Sequence, residues 1–192
     1  MRPGAERLPT LIVLACLAVL AVSACSAGKP ADKVALGAVL PDARLEPLEG
    51  GRPASISDYR GKPLIVNFWA TWCEPCRREM PELERLGALA RERGVTVLGV
   101  TVDSDVNLAR EFVLKLGLSF PMLVDRDMRY ASDALGIDAL PVTLVVGADG
   151  RLRARLKGAR EWTSPEATQA LRPVLGVDLA LRSPRQPERA VR

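Results

Sequence analysis

The sequence has 192 residues, of which 48% are hydrophobic and 26% are charged, and its formal net charge is +4. This length suits one domain with tails. The mild positive charge, without a basic run interleaved with aromatic residues, argues against nucleic-acid binding. The chain contains no histidine, which excludes Ser-His and Cys-His nucleophilic pairs and histidine metal ligands. Its chemistry must therefore depend on cysteine, carboxylate, lysine or backbone groups.

The first 24 residues have the pattern of a secretory signal peptide. Arg2 and Arg7 precede an apolar run, residues 11–22, that is short for a membrane span. The run ends in Val22-Ser23-Ala24-Cys25, which resembles a bacterial lipobox, where cleavage leaves Cys25 as a lipid-modified N-terminus. We therefore expect a lipoprotein on the periplasmic side of the cell envelope, in the outer membrane if the bacterium has two membranes. An ordinary signal peptide or a short anchor helix is the alternative.

The next segment, residues 25–35, is small, polar and charged, so we expect a flexible tether. Residues 36–56 are broken by prolines and by the turn-forming sequence Glu-Gly-Gly-Arg at 49–52. This pattern is typical of a β-hairpin. A short helical turn at residues 57–60 is predicted to follow.

The central part of the sequence begins with Leu64–Trp69, an almost continuous apolar run that is typical of a strand buried on both faces. It leads into Trp72-Cys73-Glu74-Pro75-Cys76 and then into a helical pattern that ends near residue 93, before Gly94. Two thiols three residues apart, where a buried strand meets a helix N-terminus, are typical of a dithiol redox site. The helix end favours a lowered pKa for the first thiol.

The remaining sequence predicts further strands and helices in alternation. The predicted elements are a strand at 95–102, a helix ending near residue 116, a short strand at 120–125, a helix at 128–135, a strand at 141–146, a hairpin strand at 151–157 and a helix at 165–175. This order predicts an α/β fold with a mixed central sheet and helices on both faces. The domain should span residues 36–176, and residues 177–192 should be a disordered tail.

The segment FWATWCEPCRREMP, residues 68–81, resembles the active-site segment of the thioredoxin superfamily, in the extracytoplasmic branch called TlpA/ResA-like. With further similarity at residues 58–63, 136–143 and 147–150, the resemblance covers residues 36–175. It implies a thioredoxin fold with an added N-terminal β-hairpin and a monomeric thiol-disulfide oxidoreductase that needs no cofactor. The implied partners are oxidised extracytoplasmic proteins, with apocytochrome c as the family precedent, and a membrane thiol-disulfide electron donor.

The two cysteines are expected to have different roles. A residue at the start of a helix is exposed, whereas one three positions later lies under the first turn. Cys73 is therefore the expected nucleophile, and Cys76 is expected to resolve the mixed disulfide. The resemblance also implies a cis-proline at Pro141 beside the dithiol, with a substrate strand added to the preceding backbone. A trans proline that opens an edge strand is the alternative.

Three further residues are expected to contact a polypeptide substrate: Trp72, Pro75 and Leu140. Trp72 would form an apolar lip at the dithiol, although simple packing is its alternative role. Leu140 precedes the expected cis-proline and would shape the same surface.

Three acidic or amide positions leave the proton chemistry open. Asn67 stands where thioredoxin itself has a buried aspartate, and an amide cannot titrate. Glu74 is then the nearest candidate acid–base group, although it could equally be a favourable charge at the helix N-terminus. Glu79 matches a glutamate of the resembling family, but a solvated surface charge is at least as strong an alternative.

The direction of reaction follows from Glu74. A carboxylate between the cysteines repels the thiolate, which favours the disulfide form and makes the dithiol a better electron donor. We therefore expect a reductase of protein disulfides, with a disulfide-forming oxidase as the alternative.

Other functions fit the sequence less well. A zinc site lacks further ligands, and a structural disulfide across so few residues would restrain little of the unfolded chain. A peroxidase of the peroxiredoxin type would need threonine or serine where Ala70 stands. A thioredoxin-like copper(I) chaperone remains an alternative, although such carriers usually add histidine or a methionine cluster. No metal site is expected.

Overall fold

The computed structural model describes residues 33–179 of the chain. The expected signal peptide, Cys25, most of the tether and most of the C-terminal tail lie outside the described residues. At the two ends of the described part, Val34 and Leu179 are both buried, and the Lys33 ammonium donates to the Asp133 carbonyl at 2.8 Å. Within residues 33–179 no helix combines the length and the apolar character that a membrane span requires.

The described part of the chain forms one seven-stranded mixed sheet with helices packed against it. The strands are β1 (Arg44–Pro47), β2 (Ala54–Ser55), β3 (Leu64–Trp69), β4 (Thr96–Thr101), β5 (Met122–Val124), β6 (Val142–Val146) and β7 (Leu152–Lys157), and the α-helices are α1 (Glu74–Arg91), α2 (Val106–Leu116) and α3 (Pro165–Leu175). The strand order is β2-β1-β5-β4-β3-β6-β7. The parallel pairs are β3 with β4 and β4 with β5, whereas β6, β7 and β1 run antiparallel to their neighbours.

The added N-terminal hairpin is confirmed. Strands β1 and β2 pair antiparallel, with Arg44 opposite Ser55. Their connection turns at Gly50 and Gly51, whose φ angles of 82° and 106° are readily adopted by glycine. Strand β1 also pairs with β5, so the hairpin extends the main sheet.

Strand β3 lies at the centre of the core, and all six of its residues are buried. Its side chains alternate between the two faces of the sheet. On one face Asn67 contacts Glu79 of α1, and the ring centroid of Trp69 lies 5.5 Å from that of Phe112 of α2. On the other face Phe68 contacts Tyr130, with 6.4 Å between ring centroids.

The face that carries Tyr130 is covered by the segment predicted as a helix at 128–135, which is a π-helix in the structure. A 3₁₀ turn, Arg126–Met128, is followed by a π-helix, Arg129–Ala134. The buried carboxylate of Asp125 accepts the backbone N–H groups of Tyr130 at 2.9 Å and Ala131 at 2.7 Å. These two hydrogen bonds hold the first turn of the π-helix, which begins within one residue of the predicted start.

Candidate functional site

The two cysteines lie at the junction between the end of β3 and the start of α1, as the sequence predicted. After Trp69 the chain makes a tight turn in which the Cys73 N–H donates to the Ala70 carbonyl at 3.2 Å. Cys73 is then the N-cap of α1, and Pro75 occupies the first turn of the helix, where a missing N–H costs nothing. The turn and the helix start therefore fix the backbone of both thiols.

Cys73 and Cys76 form a disulfide, with 2.08 Å between the sulfurs and 5.3 Å between the Cα atoms. The Cys76 N–H points to the Cys73 sulfur at 3.3 Å, so a free N–H of the helix N-terminus is directed at this atom. Cys73 is 7% exposed, whereas Cys76 is fully buried. Of the two cysteines, Cys73 is the one that keeps some exposure to solvent.

Three exposed side chains border the disulfide. Trp72 is 66% exposed, and both Glu74 and Pro75 are exposed. The Glu74 carboxylate forms an ion pair with Arg77 and lies 3.6 Å from the Arg78 guanidinium. Its charge is therefore balanced by two cations and screened by solvent.

Pro141 lies at the same end of the sheet as the turn that carries Cys73 and Cys76. The Leu140–Pro141 peptide bond is cis, as the resemblance implied. Strands β3 and β6 are antiparallel with Phe68 opposite Val142, so the start of β6 adjoins the end of β3. The Pro141 carbonyl accepts the Gly158 N–H at 2.9 Å, and Leu140 is partly exposed next to it.

A buried carboxylate lies on α1 one turn beyond Cys76. Glu79 is 2% exposed, so of the two interpretations left open for it, that of a solvated surface charge is wrong. Its Oε1 accepts the Asn67 amide at 2.9 Å. Its Oε2 accepts the Trp162 indole N–H at 2.9 Å and the Arg160 backbone N–H at 3.1 Å.

The network around Glu79 continues to β6 and leaves one atom unpaired. The Asn67 amide also donates to the Thr143 hydroxyl at 2.9 Å, whereas the buried Asn67 Oδ1 has no hydrogen-bond partner among residues 33–179. Burial raises the pKa of Glu79 above its ordinary value, and the hydrogen bonds from Asn67, Trp162 and Arg160 oppose that rise. Asn67, on β3, therefore links Thr143 on β6 to the buried Glu79 on α1.

Sequence reasoning missed several residues of the site. Thr143, Trp162 and Asp103 were assigned no role in it, because their contacts join segments far apart in the chain. The weak signals were polar residues within or just after buried strands, in the case of Thr143 and Asp103, and an isolated tryptophan in a loop, in the case of Trp162.

Within the described ranges no group of three or more Cys, Asp or Glu side chains is arranged to hold a metal ion. The chemistry that the geometry offers is thiol-disulfide exchange at the more exposed cysteine, Cys73, with the fully buried Cys76 as the partner that closes the ring.

Three comparisons agree with this geometry. The model of the AhpC/TSA family matches residues 36–155. Thiol-disulfide oxidoreductase ResA of Geobacillus thermodenitrificans is 38% identical over 125 residues, which cover 65% of this chain and 71% of that protein.

Solved structures show the same architecture. The thioredoxin domain of a thiol-disulfide oxidoreductase from Bacteroides vulgatus superposes with a TM-score of 0.64 at 21% identity, over 74% of this chain and 99% of that one. A secreted thiol-disulfide isomerase from Corynebacterium glutamicum gives a TM-score of 0.63 at 28% identity, over 71% of this chain and 83% of that one.

Proposed function

Because the chain belongs to the AhpC/TSA family and is a ResA-like thiol-disulfide oxidoreductase of thioredoxin fold, we propose that it reduces protein disulfides outside the cytoplasm. The observation that carries the proposal is the gradient of exposure across the Cys73–Cys76 pair at the N-terminus of α1. Cys73 is the attacking thiol and Cys76 the resolving thiol.

The reaction transfers two electrons in two exchange steps. The Cys73 thiolate attacks a substrate disulfide, which forms a mixed disulfide and releases one substrate sulfur as a thiolate. The Cys76 thiolate then attacks the Cys73 sulfur, which forms the Cys73–Cys76 disulfide and releases the second substrate thiolate. The dithiol is oxidised, the substrate disulfide becomes two thiols, and a membrane thiol-disulfide donor restores the dithiol.

The surface around Cys73 suits a polypeptide substrate. Trp72 offers an exposed apolar surface on one side, and Pro75 and the partly exposed Leu140 lie at the same end of the sheet. An extended substrate segment would pair with the backbone before Pro141 as an added strand. Apocytochrome c is the substrate that the family resemblance suggests, and other oxidised secreted proteins are equally compatible.

The experiment that tests the roles is trapping of a substrate. Cys76→Ser should attack once and accumulate as a mixed disulfide through Cys73, whereas Cys73→Ser should trap nothing and should lose insulin-reduction activity. If alkylation at neutral pH modified Cys76 faster than Cys73 in the reduced protein, the roles would be reversed.

The cellular location is a second part of the proposal. We place the domain, residues 36–176, in the periplasmic side of the envelope on a tether that begins at a lipidated Cys25, as a monomer. Mass spectrometry of the membrane-extracted protein should show a mature N-terminus at a diacylated Cys25. A mature N-terminus at any other residue would contradict lipid anchoring without affecting the redox assignment.

A further inference from the structure

Asp103 is a buried carboxylate whose contacts lead to the dithiol turn. It follows β4 by two residues and is 2% exposed. Among the described residues no lysine or arginine forms an ion pair with it. A buried carboxylate without a cation is costly unless hydrogen-bond donors surround it, so its donors indicate what it holds.

Those donors belong mainly to Thr71, the first residue after Ala70 in the turn that carries Cys73. The Thr71 backbone N–H lies 3.1 and 3.0 Å from the two carboxylate oxygens, and the Thr71 hydroxyl donates to Oδ1 at 2.7 Å. The hydroxyl of Thr101, on β4, donates to Oδ2 at 2.6 Å. One carboxylate thus joins the end of β4 to the turn that follows β3.

The obvious structural role for Asp103, that of a cap for α2, belongs to another residue. The N-cap of α2 is Asp105, whose side chain accepts the Asn107 N–H at 2.9 Å. Asp103 therefore binds the turn that follows β3 and does not cap α2.

We propose that Asp103 is a positioning residue for the attacking thiol: by holding Thr71 it sets the turn that places the Cys73 sulfur at the N-terminus of α1. This inference rests on the proposed role of Cys73. In the turn, Cys73 is held on one side by the Ala70 carbonyl, and its sulfur receives the Cys76 N–H at 3.3 Å. The same N–H would stabilise the Cys73 thiolate in the reduced protein.

Loss of the contact between Asp103 and Thr71 should change the pKa of Cys73 in a defined direction. If the turn loosens, the thiolate loses part of its contact with the helix N-terminus and the pKa of Cys73 rises. A less stable thiolate makes the reduced form less stable, so the protein becomes more reducing. Removing only the negative charge of Asp103 would have the opposite sign, because a nearby anion disfavours the thiolate. Positioning and charge are therefore separable.

The test uses the full chain with two variants of the contact, Asp103→Asn and Thr71→Val. Thr71→Val removes the hydroxyl contact and leaves every charge in place. The pH dependence of Cys73 alkylation by iodoacetamide gives its pKa, and equilibration with glutathione gives the redox constant. For both variants we expect alkylation at pH values below the pKa to slow about threefold to tenfold. This corresponds to a rise of up to about one unit in the Cys73 pKa. The redox constant should shift by the same factor toward the protein disulfide. Thr71→Ser keeps the hydroxyl contact, so it should give wild-type values of both quantities.

Asp125→Asn is the matched control, since it alters a second buried aspartate that accepts backbone N–H groups next to the same sheet. It should lower the melting temperature and leave the Cys73 pKa unchanged. The proposal is overturned if Asp103→Asn behaves like this control, or if it lowers the Cys73 pKa, which would show an effect of charge alone. Faster alkylation of Cys76 than of Cys73 in the wild type would instead overturn the proposed roles of the two thiols.

Discussion

The buried Glu79 network leads to a prediction about stability and its pH dependence. In Glu79→Ala the Asn67 amide, the Trp162 indole N–H and the Arg160 backbone N–H all lose their acceptor. Each buried donor left unpaired costs about 1–3 kcal/mol. Arg160 is exposed, so water can replace the acceptor of its N–H, and the two buried donors, of Asn67 and Trp162, predict a loss of about 2 kcal/mol in the free energy of unfolding at the low end of that range.

Glu79→Gln should cost less than Glu79→Ala, because the Gln oxygen can still accept from the Trp162 indole N–H and the Arg160 backbone N–H. Its amide group then faces the Asn67 amide, so one Asn67 N–H loses its acceptor. We expect a loss of about 1 kcal/mol, the low end of the range for one buried donor left unpaired.

The pH dependence follows from the raised pKa of Glu79, whose main cause is burial. Between the ordinary pKa of a glutamate and the raised value, the folded state binds more protons than the unfolded state. Stability from this group is therefore fully present below the ordinary value and is lost as the pH rises through the raised one. Glu79→Gln cannot titrate, so the stability of the wild type relative to this variant should fall across the same window.

Urea unfolding of the oxidised proteins at a series of pH values provides the measurement. Glu92→Ala on the exposed end of the same helical region, where the carboxylate has only a 3.8 Å ion pair with Arg93, should stay within about 0.5 kcal/mol of wild type. A wild-type stability that rises with pH relative to Glu79→Gln would refute the reasoning, because the carboxylate would then be favoured by folding. A cost below about 1 kcal/mol for Glu79→Ala would show that water replaces the lost acceptor.

Three other predictions concern single sites. Glu74→His should make the protein more oxidising by less than about 30 mV, a change of less than tenfold in the redox constant measured with glutathione, because Arg77 and Arg78 already balance most of the Glu74 charge. Trp72→Ala should raise KM about tenfold for a protein disulfide and leave the rate with glutathione disulfide unchanged. Gly99→Ala should lower stability in urea by about 1–3 kcal/mol, because its methyl group would collide with the Met122 sulfur. Gly87→Ala, whose methyl group meets only ordinary contacts at 3.7 Å, is its control.

Most of the fold could be predicted because its signals are local. The apolar run of β3, the proline and serine that start α3, and the Gly50–Gly51 turn each act within a few residues. Their predicted bounds agree with the structure to within about two residues, which is the usual uncertainty of element ends. The helix after β5 also lies where it was predicted, and only its π-helical hydrogen bonding is not marked in the sequence pattern.

The site could be predicted only as far as its cysteines and its cis-proline, because those residues share a motif. Glu79 was left undecided, since an acidic residue on a helix reads as solvated until a partner from another segment is known. Trp162 comes from a loop 83 residues further along the chain, and Thr143 reaches Asn67 across 76 residues. Contacts of that separation leave no periodic trace in the sequence.

The surroundings of Glu74 bear on the direction of the reaction. A carboxylate between the cysteines favours the disulfide form only to the extent that its charge reaches the Cys73 thiolate. The Glu74 carboxylate is shared by Arg77 and Arg78 and is about half exposed, so much of its field at the sulfur is cancelled and screened. The thiolate is then governed mainly by the Cys76 N–H and by the turn that Asp103 holds. A reductase can therefore owe its potential to how closely the Cys73 sulfur approaches the helix N-terminus, more than to the charge between its cysteines.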